Sequence, residues 1–187
     1  PPDPRTDSIR PMEPPDRSGV RRFALALALI AFAALALRVT YVVTVARNEA
    51  DWHIYDATYY ELQARSIVNG DGFFTDPFLL FSQAESDRPA ADHPPLTVLS
   101  LLPAALVEGP DRSNLAMRLT MVLVGITNVV LIGCLARRLA GDTVGLVAAG
   151  IAALDPNLWM NDALIMSESL SVLFVVALVS ASYHLLR

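Results

Sequence analysis

The chain has 187 residues, 53% of them hydrophobic, and 19 acids against 14 basic residues leave a net charge of −5. Every basic residue is Arg, and with the balance acidic no basic stripe exists to neutralise phosphates, which excludes a nucleic-acid partner. The single cysteine, Cys134, falls inside an apolar block; it forms neither a disulfide framework nor a paired-cysteine metal site and reads as a buried apolar side chain.

Residues 1–22 are rich in Pro and charge and nearly free of apolar side chains, so they read as a disordered cytoplasmic tail. Phe23 to Val45 is apolar apart from Arg38, Thr40, Tyr41 and Thr44. At about 1.5 Å per residue this run is roughly 34 Å long, enough to cross a hydrocarbon core. It is too long for a signal-peptide core, and no small-residue cleavage site follows, so residues 23–46 form a retained first transmembrane helix.

Residues 47–118 form a long polar loop. Between Arg47 and His93 it holds nine acids against three Arg. Asp56-Ala57-Thr58-Tyr59-Tyr60 leads into an amphipathic helix, Glu61 to Asn69, stopped by Gly70 and the turn Asp71-Gly72. Asp92-His93-Pro94-Pro95-Leu96 opens a second apolar helix, Pro95–Val107, whose length of about 20 Å is too short to span and suits the interface.

Residues 119–187 supply three more spans: Leu119–Leu139, Thr143–Trp159 and Ser169–Leu186. The first two are joined by the tight turn Arg137-Arg138-Leu139-Ala140-Gly141. Gly145, Ala148, Ala149, Ala152 and Ala153 give the third span a small-residue face for close helix packing. The expectation is therefore an all-α polytopic membrane protein, with four transmembrane helices and interfacial helices in a long first outer loop. Arg placement orients it. With Pro95–Val107 on the surface, the five tail Arg, Arg137, Arg138 and Arg187 all fall on the cytoplasmic side. Residues 46–118 and 160–168 then lie outside, with Trp52 and Trp159 in an outer aromatic belt. The chain has no opening Met and ends within an apolar helix, so both ends are expected to belong to a longer polypeptide, although processing also removes an initiator Met.

Several polar residues admit two readings. Asp56 suits a helix N-cap, and Glu168, in a first helical turn, complements the helix dipole. Asp92 and His93 form either an exposed pair before a Pro-initiated helix or a carboxylate–imidazole metal-ligand pair. Arg38 lies within a turn or two of the surface and is expected to snorkel there; for Arg118, snorkelling and ligand binding both stand. Gly70-Asp71-Gly72 is a turn and not a phosphate-binding glycine loop, so no nucleotide cofactor is expected.

The order of these features resembles the membrane-embedded glycosyltransferases of the GT-C class, in particular the protein O-mannosyltransferases and the bacterial aminoarabinose and mannose transferases. The resemblance rests on an acid after span one, Tyr59-Tyr60, Gly70-Asp71-Gly72-Phe73 and His93-Pro94-Pro95-Leu96. Arg118, Ala136-Arg137-Arg138-Leu139-Ala140-Gly141 and Ser167-Glu168-Ser169-Leu170 extend it over residues 23–187. It implies a polyprenyl-phosphate sugar as donor, and a hydroxyl of a glycan, lipid or protein acceptor on the outer face of the cell membrane. Asp56 matches the family's catalytic base and Glu168 a second acidic position. Asp92 and His93 match a metal-binding or phosphate-facing pair, implying a divalent metal ion. His93 stands where many relatives have Lys, and Ala57 replaces the second acid of a frequent Asp-Glu pair. Arg118, His93 and Arg38 are the candidates for stabilising the leaving phosphate. The competing expectation is a non-catalytic membrane scaffold or transporter-like piece whose outer loop binds a partner.

Overall fold

The structure is a computed structural model that describes residues 17–46, 55–72, 93–108 and 114–186. The described residues form seven helices and no strand. In chain order these are α1 (Arg17–Thr44), α2 (Tyr55–Asn69), α3 (Pro95–Glu108), α4 (Leu115–Ala140), α5 (Asp142–Leu154), α6 (Pro156–Ala163) and α7 (Glu168–Leu185).

Three helices are long and apolar enough to cross a bilayer: α1, α4 and α7. Their outer faces carry Leu25, Leu29, Phe32, Leu123, Phe174, Val175 and Leu178 in the open, as expected where lipid rather than protein covers the side chains. α1 starts at Arg17, six residues before the apolar run, because nothing breaks the helix between Pro15 and Phe23. At 28 residues it is about 42 Å long, more than a hydrocarbon core requires.

The third expected span, Thr143–Trp159, is not one helix. α5 and α6 meet at a 53° bend, so the pair is a broken span or a re-entrant loop. The cause is local. Pro156 has no N–H to bond the carbonyl of Ala152, and Asp155 accepts the Asn157 N–H at 2.9 Å, capping a new helix with Pro in its first turn.

α4 is the hub and packs on α1, α3, α5, α6 and α7. Against α5 it comes close enough that a Cβ on Gly145 would sit 2.8 Å from the Gly133 carbonyl oxygen, and Ala149, Ala152 and Ala153 are buried along the same face. Phe23 and Leu27 of α1 close this lower core. A second core lies at the other end. There α2 presents Ala57, Tyr60 and Ala64, and α3 presents Val98, Leu101 and Ala105, each at helical spacing, over Met117, Met121 and Ile165. Charges pin the arrangement: Arg65 bonds Glu61 and Glu108 at 3.0 Å each, and Glu108 also accepts the Ala116 N–H at the start of α4.

The two ends of the bundle differ in charge. Arg21, Arg22, Arg137 and Arg138 gather at one end, where Arg137 lies 4.2 Å over the Phe23 ring and bonds Asp142 at 2.7 Å. At the other end Trp159 meets Tyr41 edge-on at 4.9 Å. Trp52 lies outside the described residues.

Candidate active site

The acidic end of the bundle holds most of the residues singled out from the sequence. Asp56 stands in the first turn of α2, half exposed, with Oδ1 3.3 Å from His93 Nε2. His93 precedes Pro94 and Pro95, which start α3, and its ring is stacked on Tyr59 with centroids 3.9 Å apart and planes 17° from parallel. Tyr60 meets the same imidazole edge-on at 5.5 Å. The packing of α2 on α3 thus brings together two residues 37 positions apart and clamps the imidazole between aromatic walls.

Tyr60 joins this pair to α7. Its side chain is buried, and Ser167 is the polar side chain that acts on its hydroxyl. Burial pushes the phenol above its usual range, Ser167 acts against that, and the negative charges of Asp56 and Glu168 add to the rise. Tyr60 packs in one core with Ile165 and Met166, just before α7, so the first turn of α2 with Asp56 and the first turn of α7 with Glu168 lie at the same end of the bundle. Glu168 is exposed in the first turn of α7, at the mouth of a narrow cleft between α4, α6 and α7. The cleft encloses about 30 Å³, room for about two waters, and its polar lining includes Asn128, Asn161 and Ser169. The buried Oδ1 of Asn128 has no hydrogen-bond partner among the described residues.

The arginines behave differently from expectation. Arg38 does not reach the interface: it is 0% exposed, and Nε bonds Asp162 Oδ2 at 2.8 Å. The helix turns inward at this position, and a buried carboxylate together with the free carbonyls of the α5–α6 break offers more to a guanidinium than distant water does. Asp162 and Tyr60 are the residues the sequence reading assigned no role. The signal for Asp162 was Arg38 itself, since an intramembrane Arg requires a partner. Arg118 is also buried, donating from Nε to Asn114 Oδ1 at 2.9 Å and from Nη1 to the Ala163 carbonyl at 2.6 Å, which ties the start of α4 to the end of α6. Asp92 lies outside the described residues. Among those described, no three His, Cys, Asp or Glu side chains come together to hold a metal ion.

One comparison decides the family. Residues 92–187, just over half of the chain, match the family model described as dolichyl-phosphate-mannose-protein mannosyltransferase. The chain belongs to that family. Among curated proteins and solved structures nothing matches it. The matched part of this mannosyltransferase-family chain holds His93, Arg118, Asp162 and Glu168, while Asp56 and Tyr60 precede it. Membership makes the chain a glycosyltransferase-type, multi-pass membrane protein, in agreement with its apolar helices.

Proposed function

We propose that the chain carries the donor site of an inverting GT-C glycosyltransferase, which moves a sugar from a polyprenyl phosphate to a hydroxyl of a glycan, lipid or protein acceptor on the outer face of the cell membrane. The observation that carries this reading is the pairing of Asp56 with His93 against Tyr60, at the end of the bundle where α7 begins with Glu168. Membership of a mannosyltransferase family makes mannose the first sugar to test.

The reaction is a single displacement. The acceptor oxygen forms a bond to the anomeric carbon as the bond from that carbon to the phosphate oxygen breaks, which inverts the anomeric centre. Asp56 takes the acceptor's proton, and polyprenyl phosphate leaves with the electron pair. A sugar or serine hydroxyl is a poor nucleophile, and a positioned base contributes about 10²–10⁴-fold. His93, donating an N–H near the same point, stabilises the phosphate as its charge grows. Arg38, locked to Asp162, takes no part in this, and Arg118 contributes only through the protein groups it holds. Glu168 supports the acceptor. The described residues bring one imidazole and one carboxylate together; with Asp92 added they are the nitrogen and oxygen donor set a divalent ion uses. Such an ion would be held by His93 and Asp92 and would polarise the phosphate.

Arg21, Arg22, Arg137 and Arg138 at the opposite end support a cytoplasmic position for that end, with the acidic site outside. The test is transfer from synthetic polyprenyl phosphomannose by the full-length protein in nanodiscs. Asp56→Asn is expected to lower kcat by about 10²-fold or more while KM for the donor changes little. Wild-type turnover by the variant would remove Asp56 from the mechanism. A scaffold, by contrast, would show no transfer and no thermal shift with the donor lipid.

A further inference from the structure

The α5–α6 break sits on a device that reaches the site from behind. Pro156 leaves the Ala152 carbonyl without its helical donor, and Asp155 takes the Asn157 N–H that the Ala153 carbonyl would have used. Arg38 crosses from α1 to fill both gaps, with Nη1 3.2 Å from the Ala153 oxygen and Nη2 3.5 Å from the Ala152 oxygen. Its remaining reach goes to Asp162, whose Oδ1 accepts the Ser169 hydroxyl at 2.6 Å. Asn128, one turn beyond Gly125 on α4, donates to the Ser169 carbonyl at 2.8 Å.

Two of these bonds, from Ser169 to Asp162 and from Asn128 to the Ser169 carbonyl, fix Ser169, adjacent to Glu168 and two residues from Ser167. The segment before it has little regularity of its own to hold it. Ile165, a β-branched residue, adopts φ +53° between α6 and α7, a conformation that persists only where surrounding contacts impose it. Stability alone is a weak reason for a buried ion pair, since apolar replacements of matched size are often as stable.

We propose that Arg38 and Asp162 are positioning residues for the transfer reaction: the Arg38–Asp162–Ser169 clasp sets where Ser167 and Glu168 stand against Tyr60 and Asp56. This rests on the glycosyltransferase reading above. Neither residue touches donor or acceptor. The clasp acts by holding the first turn of α7 in register with α2.

The experiment pairs turnover with a readout that needs none. In the full-length protein the double variant Arg38→Met/Asp162→Leu removes both charges together and leaves no lone ion in the membrane. Its kcat is expected to fall by about 10²-fold at nearly unchanged KM for polyprenyl phosphomannose, as a misplacement of about 1 Å would cause. Folded protein with wild-type kcat overturns the proposal. Should the double variant not survive purification, Ser169→Ala removes only one hydroxyl and is expected to lower kcat about tenfold; no loss there overturns it equally. 3-Fluorotyrosine at Tyr60, followed by fluorine NMR, reports on the clasp even if the wild-type protein transfers no sugar, the outcome that would defeat the functional reading instead. The Tyr60 resonance is expected to shift or broaden in both variants while that of Tyr183, at the opposite end, stays put. An unmoved Tyr60 signal defeats the clasp whatever the enzyme does.

Discussion

Replacing Gly125 by Ala tests whether α4 and α6 are as close as described. A Cβ at this position would lie 2.0 Å from Asp162 Oδ2 and 2.2 Å from its carboxyl carbon. An ordinary contact requires about 3.4 Å or more, so the carboxylate must retreat by about 1.4 Å. That movement stretches the 2.8 Å bond to Arg38 and the 2.6 Å bond from Ser169 beyond hydrogen-bonding range. Overpacking costs about 1–3 kcal/mol, and breaking a buried ion pair costs about 3–5 kcal/mol. Partial relaxation makes the two overlap, and a net loss of about 3–5 kcal/mol follows, or about 10 °C in Tm for a chain of this size. Gly150→Ala on α5 is the control, because nothing lies within 4 Å of its added Cβ. There the better helix propensity of Ala leaves stability unchanged or raises it by up to about 1 kcal/mol. Thermal unfolding of both variants in nanodiscs, followed by circular dichroism, compares them directly. Equal Tm values for Gly125→Ala and wild type would refute the close approach, and with it the geometry of the clasp.

Tyr60→Phe removes the hydroxyl on which Ser167 acts and is expected to lower transfer about tenfold in the polyprenyl phosphomannose assay, with little change in fold. The raised Tyr60 pKa also has a sign. From about pH 10, where an unfolded phenol ionises, the folded chain binds the extra proton, so stability falls as pH rises toward the folded value. Melting curves between pH 8 and 11 are expected to decline from about pH 10 in the wild type and more weakly in Tyr60→Phe. Glu108→Ala strips Arg65 of a partner and uncaps α4, with an expected loss of about 1.5–3 kcal/mol in the same melting assay. Asp142→Ala breaks only the exposed pair with Arg137 and is expected to cost less than about 1 kcal/mol.

The long helices were legible because lipid leaves a plain mark: α1, α4 and α7 are apolar over most of their surface, and apart from the start of α1 their ends fall within a turn or so of the limits of the apolar runs. The two shorter helices at the outer end were legible for a different reason. Alternating apolar positions such as Ala57, Tyr60 and Ala64 have a helical period, and Gly70 and Pro95 mark ends that local backbone chemistry dictates. The α5–α6 bend was also written locally, in Asp155-Pro156, but hydropathy averaged over a window carries an apolar run straight across a proline. The Arg38–Asp162 pair was out of reach of such reasoning. It joins residues 124 positions apart, and Asp162 sits in a short segment that composition marks only as a connection. The site fell between these cases. Asp56, His93 and Glu168 came from the family resemblance, whereas the place of Tyr60 between the His93 ring and Ile165 emerged only from packing.

The wide separation of Arg38 from its carboxylate also bears on how the protein is made. The first helix enters the bilayer with an arginine whose partner has not yet been synthesised. At about 5–20 residues per second the ribosome needs roughly ten seconds to add the 124 residues between them. During that interval Arg38, six residues from the end of α1, lacks its carboxylate partner and can only reach toward the membrane surface. The first helix in this sense takes its final place only after the segment carrying Asp162 has been made.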